Sequence, residues 1–449
     1  MKNLRWFGTD GIRGIAFEGL FVPSVLTRVG KGIGEYLHNK FSNQVLKNSL
    51  WVLIGVDTRD SGPTFAASLI SGLQEYVGVG YLGVCSSGAL AWLTRYYGAH
   101  FGIMVSASHN SAIYNGIKCF DSDGSKFSVE DELEIEDYVA YHLQKALHIK
   151  DSSFLQVTHS QNAYQEALTF GRNLKGLRVI LDGAHGSLWK FASDCFTICG
   201  AEVVSVLGAD PNGRNINENS GVLYPSCLQN AVINHCADLG FCFDGDGDRV
   251  GVVDNLGKYW DGDQILAALS KDSVSVVGTV MSNYGLERYF LEKGKSFFRV
   301  DVGDRWISQA LKTNKLRWGG ESSGHLIDYN FLPVGDGLWI ALEMSSRFIQ
   351  EGKVPIFPVF SPYPVLQKNI PISGNFSLNI PEIQSRLCGV YASLSPDVRL
   401  VLRPSGTEPV IRILLEGLCV KTLKFEMERV VAWISEYMNI ENAFESNAA

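Results

Sequence analysis

Three aspartates separated by single glycines, Asp244, Asp246 and Asp248 in "FDGDGDRVG", are the residues whose type and spacing point most directly to chemistry. On an extended backbone a period of two turns all three carboxylates to one side. Like charges that close repel unless a cation neutralises them, and hard oxygen ligands suit Mg²⁺ or Mn²⁺. An EF-hand loop needs Gly at its sixth position and Glu at its twelfth, where this chain has Arg249 and Asn255. An exposed acidic turn is the plain alternative. The apolar run before the loop argues against it, because a strand ending there delivers the loop to a ligand-binding edge.

"VSASHN" (105–110) follows another apolar run and offers Ser106, Ser108 and His109. It lacks a G-x-S-x-G elbow, so an acyl-transfer hydrolase has little support. In "RPSGTEPVIR" (403–412), Ser405, Gly406 and Thr407 combine hydroxyls with successive amide N–H groups, an anion-binding nest. Arg403 and Arg412 flank it as planar clamps for phosphate oxygens. The spacing is not that of a P-loop, and an ordinary turn between two strands is the alternative. Glu321, Ser323 and His325 in "RWGGESSGHL" suit sugar hydroxyls, although Ser and His also serve as simple turn formers. "VDVGDRWI" adds Gly303, Asp304 and Arg305, and "WFGTDGIRG" carries Asp10 and Arg13 without a dinucleotide fingerprint. Lys118 lies ten residues past Ser108, placed for a catalytic role or simply exposed.

Each loop thus brings a cation: Arg13, Lys118, Arg249, Arg305, Arg403 and Arg412. In a chain of net charge −8 this is the local compensation a multiply charged phosphate needs. A serine sharing a site with a divalent cation and arginines suits phosphoryl transfer, which relies on positioning and charge neutralisation.

The elements that must position these loops follow from pattern. Apolar, β-rich runs at 51–62, 101–110, 177–187, 237–249 and 275–285 end abruptly in Gly, Asp or Ser. Amphipathic segments follow them, which predicts α/β layers with largely parallel sheets and ligands beyond the strand ends. Within 397–417, Val398, Leu400 and Leu402 alternate with Arg399, Val401 and Arg403, which suits a strand with one buried face. Leu423, Met427, Val430, Val431, Ile434 and Met438 predict a helix over 422–438, so the C-terminal part reads as a smaller α+β domain. The Pro-rich stretch 354–367 is the expected linker. A length of 449 residues implies two to four domains, divided as 1–155, 156–255, 256–365 and 366–449. The net acidity, without a basic block, argues against nucleic acid. No apolar run spans a bilayer and no h-region opens the chain, so the expectation is a cytoplasmic protein. The nine cysteines are scattered, and Cys195 and Cys199, the closest pair, complete no zinc pattern.

"FGTDGIRG", "SASHN", "DGDGDR", "GESSGH" and "RPSGTEP", in this order along the whole chain, closely resemble the α-D-phosphohexomutase superfamily. The opening segment is most similar to its bacterial phosphoglucosamine mutase branch. The resemblance implies three similar α/β domains with mixed or parallel sheets and a smaller C-terminal α+β domain around a central cleft. It implies that Ser108 is a phosphoserine, and that Asp244, Asp246 and Asp248 hold one Mg²⁺ with a phosphoserine oxygen. Arg249 would support that loop. Glu321, Ser323 and His325 would face the sugar, with Arg305 also on the substrate. Arg403, Ser405, Gly406, Thr407 and Arg412 would hold the distal phosphate. Arg13 and Lys118 would serve the transferring phosphoryl group, with Lys118 and His109 as candidate bases. A hexosamine bisphosphate would be intermediate and activator, and the protein a monomer or homodimer. Two positions depart from the family pattern: Ser111 where Pro is common, and Pro404 where Lys or Thr is usual. Three rivals remain: a glucose or mannose phosphate mutase, a metal-dependent phosphatase, and a non-catalytic sugar-phosphate binder.

Overall fold

The computed structural model describes residues 4–41, 50–147, 155–157, 161–354, 356–371, 381–404 and 410–445. The chain separates into two compact units, one of Met1–Met281 with Lys295–Val359, the other of Ser282–Gly294 with Phe360–Ala449.

Three mixed sheets build the first unit. In the seven-stranded one, Phe101–Val105, Trp51–Val56, Gly78–Val84 and Leu155–Gln156 run parallel. Tyr114–Asp121 then pairs antiparallel with Phe101–Val105, and Gly11–Ile15 and Phe7–Gly8 extend that edge. Phe101–Val105 is buried at every residue, the pattern of a strand covered on both faces. The helices Pro23–Phe41 and Gly62–Leu73 approach so closely that a Cβ on Gly30 would lie 2.3 Å from the Leu69 carbonyl oxygen.

The five-stranded sheet orders Tyr259–Trp260, Val250–Asp254, Leu239–Phe243, Arg178–Asp182 and Glu202–Leu207. The four-stranded sheet orders Ser296–Val300, Ser275–Thr279, Trp318–Gly320 and Leu326–Asp328. Two of the anticipated strand–loop–helix units are instead hairpins. Phe101–Val105 returns as Tyr114–Asp121, and Leu239–Phe243 returns as Val250–Asp254. In both cases a second apolar run follows the polar loop and pairs at once. Leu155–Gln156 and Tyr259–Trp260 each join the sheet preceding them, so divisions at 155/156 and 255/256 would cut edge residues from their partners.

The second unit carries the antiparallel sheet Val365–Pro371, Val410–Glu416, Arg399–Pro404, in that order. The helices Tyr284–Glu292, Pro381–Ser393 and Val420–Glu445 belong to it. Leu400, Ile411, Ile413 and Leu415 form its core with Leu423, Met427, Val430 and Ile434, as the two periodicities anticipate. The division between units at 359/360 falls within the Pro-rich stretch, whereas no sequence signal assigned 282–294 to this unit. Among the described residues no helix is long and apolar enough to cross a membrane.

Back in the first unit, Asp336 caps the helix Gly337–Gln350. Its Oδ1 accepts from the Trp339 amide at 3.0 Å, and its Oδ2 accepts from the Tyr164 hydroxyl at 2.5 Å. The Gly337 amide at the head of that helix donates to the Gly247 carbonyl inside the acidic loop. Burial lifts the Asp336 carboxyl to about 6 despite these hydrogen bonds. The folded state therefore binds a proton that the unfolded chain releases near pH 4, and stability falls as pH rises from about 4 to about 6. Asp336→Asn, which keeps a capping oxygen, is expected to raise the thermal midpoint at pH 8, with the gain shrinking below about pH 6. Melting curves at both pH values check this; an equal or larger gain at pH 5 contradicts it.

Candidate active site

The acidic loop is the connection between two antiparallel strands, and its geometry is a turn rather than an extended run. The Gly247 amide donates to the Asp244 carbonyl at 3.1 Å, and Gly247 has φ +71°, a conformation that favours glycine. The carboxylates converge nonetheless: Asp244, Asp246 and Asp248 are buried and offer ligand oxygens within 4.8 Å of one another. Ser87 Oγ donates to Asp246 Oδ2 at 2.6 Å, and the Arg249 amide donates to Asp244 Oδ1. Asp246 Oδ1 and Asp248 Oδ1 are buried acceptors with no hydrogen bond among the described residues. An all-carboxylate set with unsaturated, desolvated oxygens fits a hard divalent cation.

Ser108 is fully buried, and its Oγ donates to Asp244 Oδ2 at 2.6 Å. It sits at φ +52°, a left-handed conformation that a non-glycine residue adopts at a cost of about 1–2 kcal/mol. A network that sequence reading missed holds it there. Arg59, itself buried, pairs with Asp57 Oδ2 at 2.9 Å. Its two terminal nitrogens donate to the carbonyls of Ser108, Asn110, Ser111 and Tyr114. Asn217 Nδ2 donates to the Ser108 and Asn110 carbonyls from the far side. Ser106 Oγ donates to Asp57 Oδ2 at 2.6 Å and accepts from the Ser108 amide. Ser106 is thus a strut and Ser108 the group presented. The only signal for Asp57 and Arg59 was the polar "DTRD" ending an apolar run, the form shared by the other loops.

Lys118, 1% exposed, lies 2.7 Å from both Asp246 Oδ2 and Asp248 Oδ2 and 3.1 Å from Asp10 Oδ2. Burial alone would favour a neutral amine, but these carboxylates hold the ammonium well above its ordinary range. His109 Nδ1 is 3.3 Å from Ser108 Oγ. Burial, with the Arg249 and Arg13 guanidiniums, pushes its ring down to about 4, so it is neutral at pH 7. Arg13 pairs with Asp10 and reaches Asn110 Oδ1 at 3.4 Å.

Glu321 is half-buried and Ser323 exposed: Glu321 Oε1 accepts from the Gly303 amide, and Ser323 Oγ donates to Glu321 Oε2 at 3.3 Å. His325 points inward instead, with Nδ1 3.6 Å from Asp248 Oδ1 and Nε2 3.3 Å from Asp304 Oδ2. Those carboxylates outweigh burial and raise the ring to about 10. The Gly335 amide, 3.2 Å from Nε2, could donate only to a neutral ring, so the charged form is held by the carboxylates alone. Arg305 is engaged by Glu132, while its neighbour Asp304 joins the buried cluster through Lys126 at 2.5 Å. In the second unit, Arg403 and Arg412 stand directly opposite each other on paired strands. Facing like charges are unfavourable unless an anion lies between them. Ser405, Gly406 and Thr407 lie outside the described residues.

Models of one family match most of the chain. The descriptions are phosphoglucomutase/phosphomannomutase alpha/beta/alpha domain I over residues 4–145, domain II over 161–257, domain III over 261–356, and the C-terminal domain over 379–430. The phosphoglucosamine mutase of Cellvibrio japonicus is 37% identical over 447 residues, covering 95% of this chain and 98% of that protein. Another, from Chromohalobacter salexigens, is 38% identical over 92% of this chain and 94% of its own length. Among solved structures, a phosphoglucomutase/phosphomannomutase family protein from Burkholderia thailandensis shares the fold with a TM-score of 0.74 at 21% identity, covering 94% of this chain and 95% of that one. With the motifs, the three α/β sheets and the C-terminal unit all accounted for, the chain belongs to the phosphoglucomutase/phosphomannomutase family, alongside the bacterial phosphoglucosamine mutases.

Proposed function

We propose that the protein interconverts glucosamine 6-phosphate and glucosamine 1-phosphate, with phosphorylated Ser108 as donor and acceptor of the phosphoryl group. The observation that carries this reading is the buried Ser108 Oγ, 2.6 Å from Asp244 and set against three converging carboxylates. Asp244, Asp246 and Asp248 would hold Mg²⁺, which when bound supplies charge neutralisation to the phosphoryl oxygens. The choice of amino sugar rests on the names of the relatives that match nearly full length.

In the forward half-reaction the bond from Ser108 Oγ to phosphorus breaks as a bond from the sugar hydroxyl oxygen to phosphorus forms. The hydroxyl proton must end on Ser108 Oγ. Neutral His109 beside that oxygen is placed to accept the proton and pass it on. Lys118, 2.7 Å from Asp246 and Asp248, is placed as a cation for the transferring group and remains the second candidate base. Glu321 and Ser323 would bind sugar hydroxyls. Arg403 and Arg412, with Ser405, Gly406 and Thr407, would bind the phosphate that is not reacting. The bisphosphate then turns end for end and returns its other phosphate to Ser108. A phosphosugar is the partner this site serves, and we read the protein as cytoplasmic, monomeric or homodimeric.

Ser108→Ala is expected to lower mutase turnover by more than about 10³-fold while sugar-phosphate binding stays within a few-fold. Ser106→Ala, which removes a strut, should cost about 10²-fold or less. Coupled kinetic assays with calorimetric binding check both, and a reversed order would put the phosphoryl group on Ser106. Substrate choice is tested by steady-state rates on glucosamine, glucose and mannose 1-phosphates. Glucosamine 1-phosphate should have the highest kcat/KM, and equal or better use of mannose 1-phosphate would sink the amino-sugar assignment. Sustained phosphate release without isomer formation would support a phosphatase instead.

A further inference from the structure

Six buried or half-buried side chains, acidic and basic in turn, close a ring of contacts. Asp248 meets Lys118 at 2.7 Å, and Lys118 meets Asp10 at 3.1 Å. Asp10 bonds Lys126, and Lys126 meets Asp304 at 2.5 Å. Asp304 meets His325 at 3.3 Å, and His325 returns to Asp248 at 3.6 Å. Only Asp248 in this ring belongs to the carboxylate triad. Lys126 and Asp304 touch none of Asp244, Asp246 or Ser108 in any described contact.

We propose that Asp304 and Lys126 are positioning residues that hold Asp248 for metal binding through this ring. The inference rests on the metal reading above. Lys118 Nζ lies 2.7 Å from Asp248 Oδ2, and His325 Nδ1 lies 3.6 Å from Asp248 Oδ1. A carboxylate held at one oxygen by Lys118 and flanked at the other by His325 has its rotation restrained, and it offers a ligand oxygen within 4.8 Å of those of Asp244 and Asp246. Asp304 and the Gly335 amide both face the other nitrogen of His325, and Asp304 supplies the charged side chain there. Asp304 is itself fixed at the first turn of the helix Asp304–Asn314, with Lys126 against its Oδ2. Lys126 also bonds Asp10, whose Oδ2 faces Lys118, and so steadies the second grip on Asp248. Removing either residue opens the ring away from the ligands and frees Asp248 to rotate.

The test uses the full-length protein and Mn²⁺ as the probe, with binding measured by calorimetry and by the loss of free Mn²⁺ signal in electron paramagnetic resonance. Asp304→Asn and Lys126→Met should each weaken Mn²⁺ binding by about 10–100-fold, the usual effect of losing a partner behind a metal ligand. The double variant should bind no more weakly than the worse single one, because one opening already breaks the ring. Lys126→Arg should restore most of the affinity, and kcat should fall in step with affinity while KM for the sugar phosphate stays within about twofold. Mn²⁺ affinity within twofold of the unmutated protein in both folded single variants would overturn the proposal, as would losses that simply add in the double variant. Failure of the unmutated protein to bind Mn²⁺ saturably would instead overturn the metal reading beneath it. Thermal midpoints identify variants that are not folded, and Asp304→Asn, nearly isosteric, is the variant that decides if Lys126→Met unfolds.

Discussion

Buried carboxylates are costly unless cations meet them, and Asp244, Asp246 and Asp248 are three of them on one short loop, all out of solvent. That constraint ties the first unit together. The loop comes from the five-stranded sheet. Lys118 comes from Tyr114–Asp121, an interior strand of the seven-stranded sheet, and His325 and Asp304 come from the segment that carries the four-stranded sheet. Neutralising one loop requires all three sheets to present their ends at the same point. The location of the site is thus a consequence of charge as much as of strand order.

A second constraint acts on Ser108. A residue held left-handed and fully buried needs its carbonyl and its amide satisfied, and Arg59, Asn217 and Ser106 do this. On the serine loop Arg59 grips only main-chain carbonyls, so its hold there does not depend on the side chains the loop carries. That accounts for Ser111 standing where the family commonly has Pro: the Ser111 carbonyl is fixed by Arg59, and ring rigidity is not required. The other serine of the motif, Ser106, has its hydroxyl committed as both donor and acceptor to the same scaffold.

Much of this was legible in the residues alone. Hydrophobic period marked the buried strands and the C-terminal helix, because burial on two faces or one stripe leaves a direct imprint on composition. The Asp-Gly-Asp-Gly-Asp run declared its charge problem without any coordinates. The hairpins after 105 and 243 were misread, since an apolar run following a polar loop fits either a helix or a returning strand until its partner is known. The helix Tyr284–Glu292 carries no local mark of belonging to the second unit, because that membership depends on contacts with residues more than a hundred positions away.

Residue type and spacing by themselves pointed to the chemistry: an oxygen-rich cation site, a serine suited to carry a phosphoryl group, and guanidiniums suited to a phosphate. They could do so because ligand chemistry is a property of side chains and short loops. Which serine is presented, which way His325 turns, and that Lys126 and Asp304 pair behind His325 were decided only by the tertiary structure. Lys126 is a single charged residue in ordinary surroundings along the chain, and the Gly-Asp-Arg setting of Asp304 names no partner for it. Their partners are assembled from distant segments, and Coulomb attraction acts on distance in space, which the order of residues does not record.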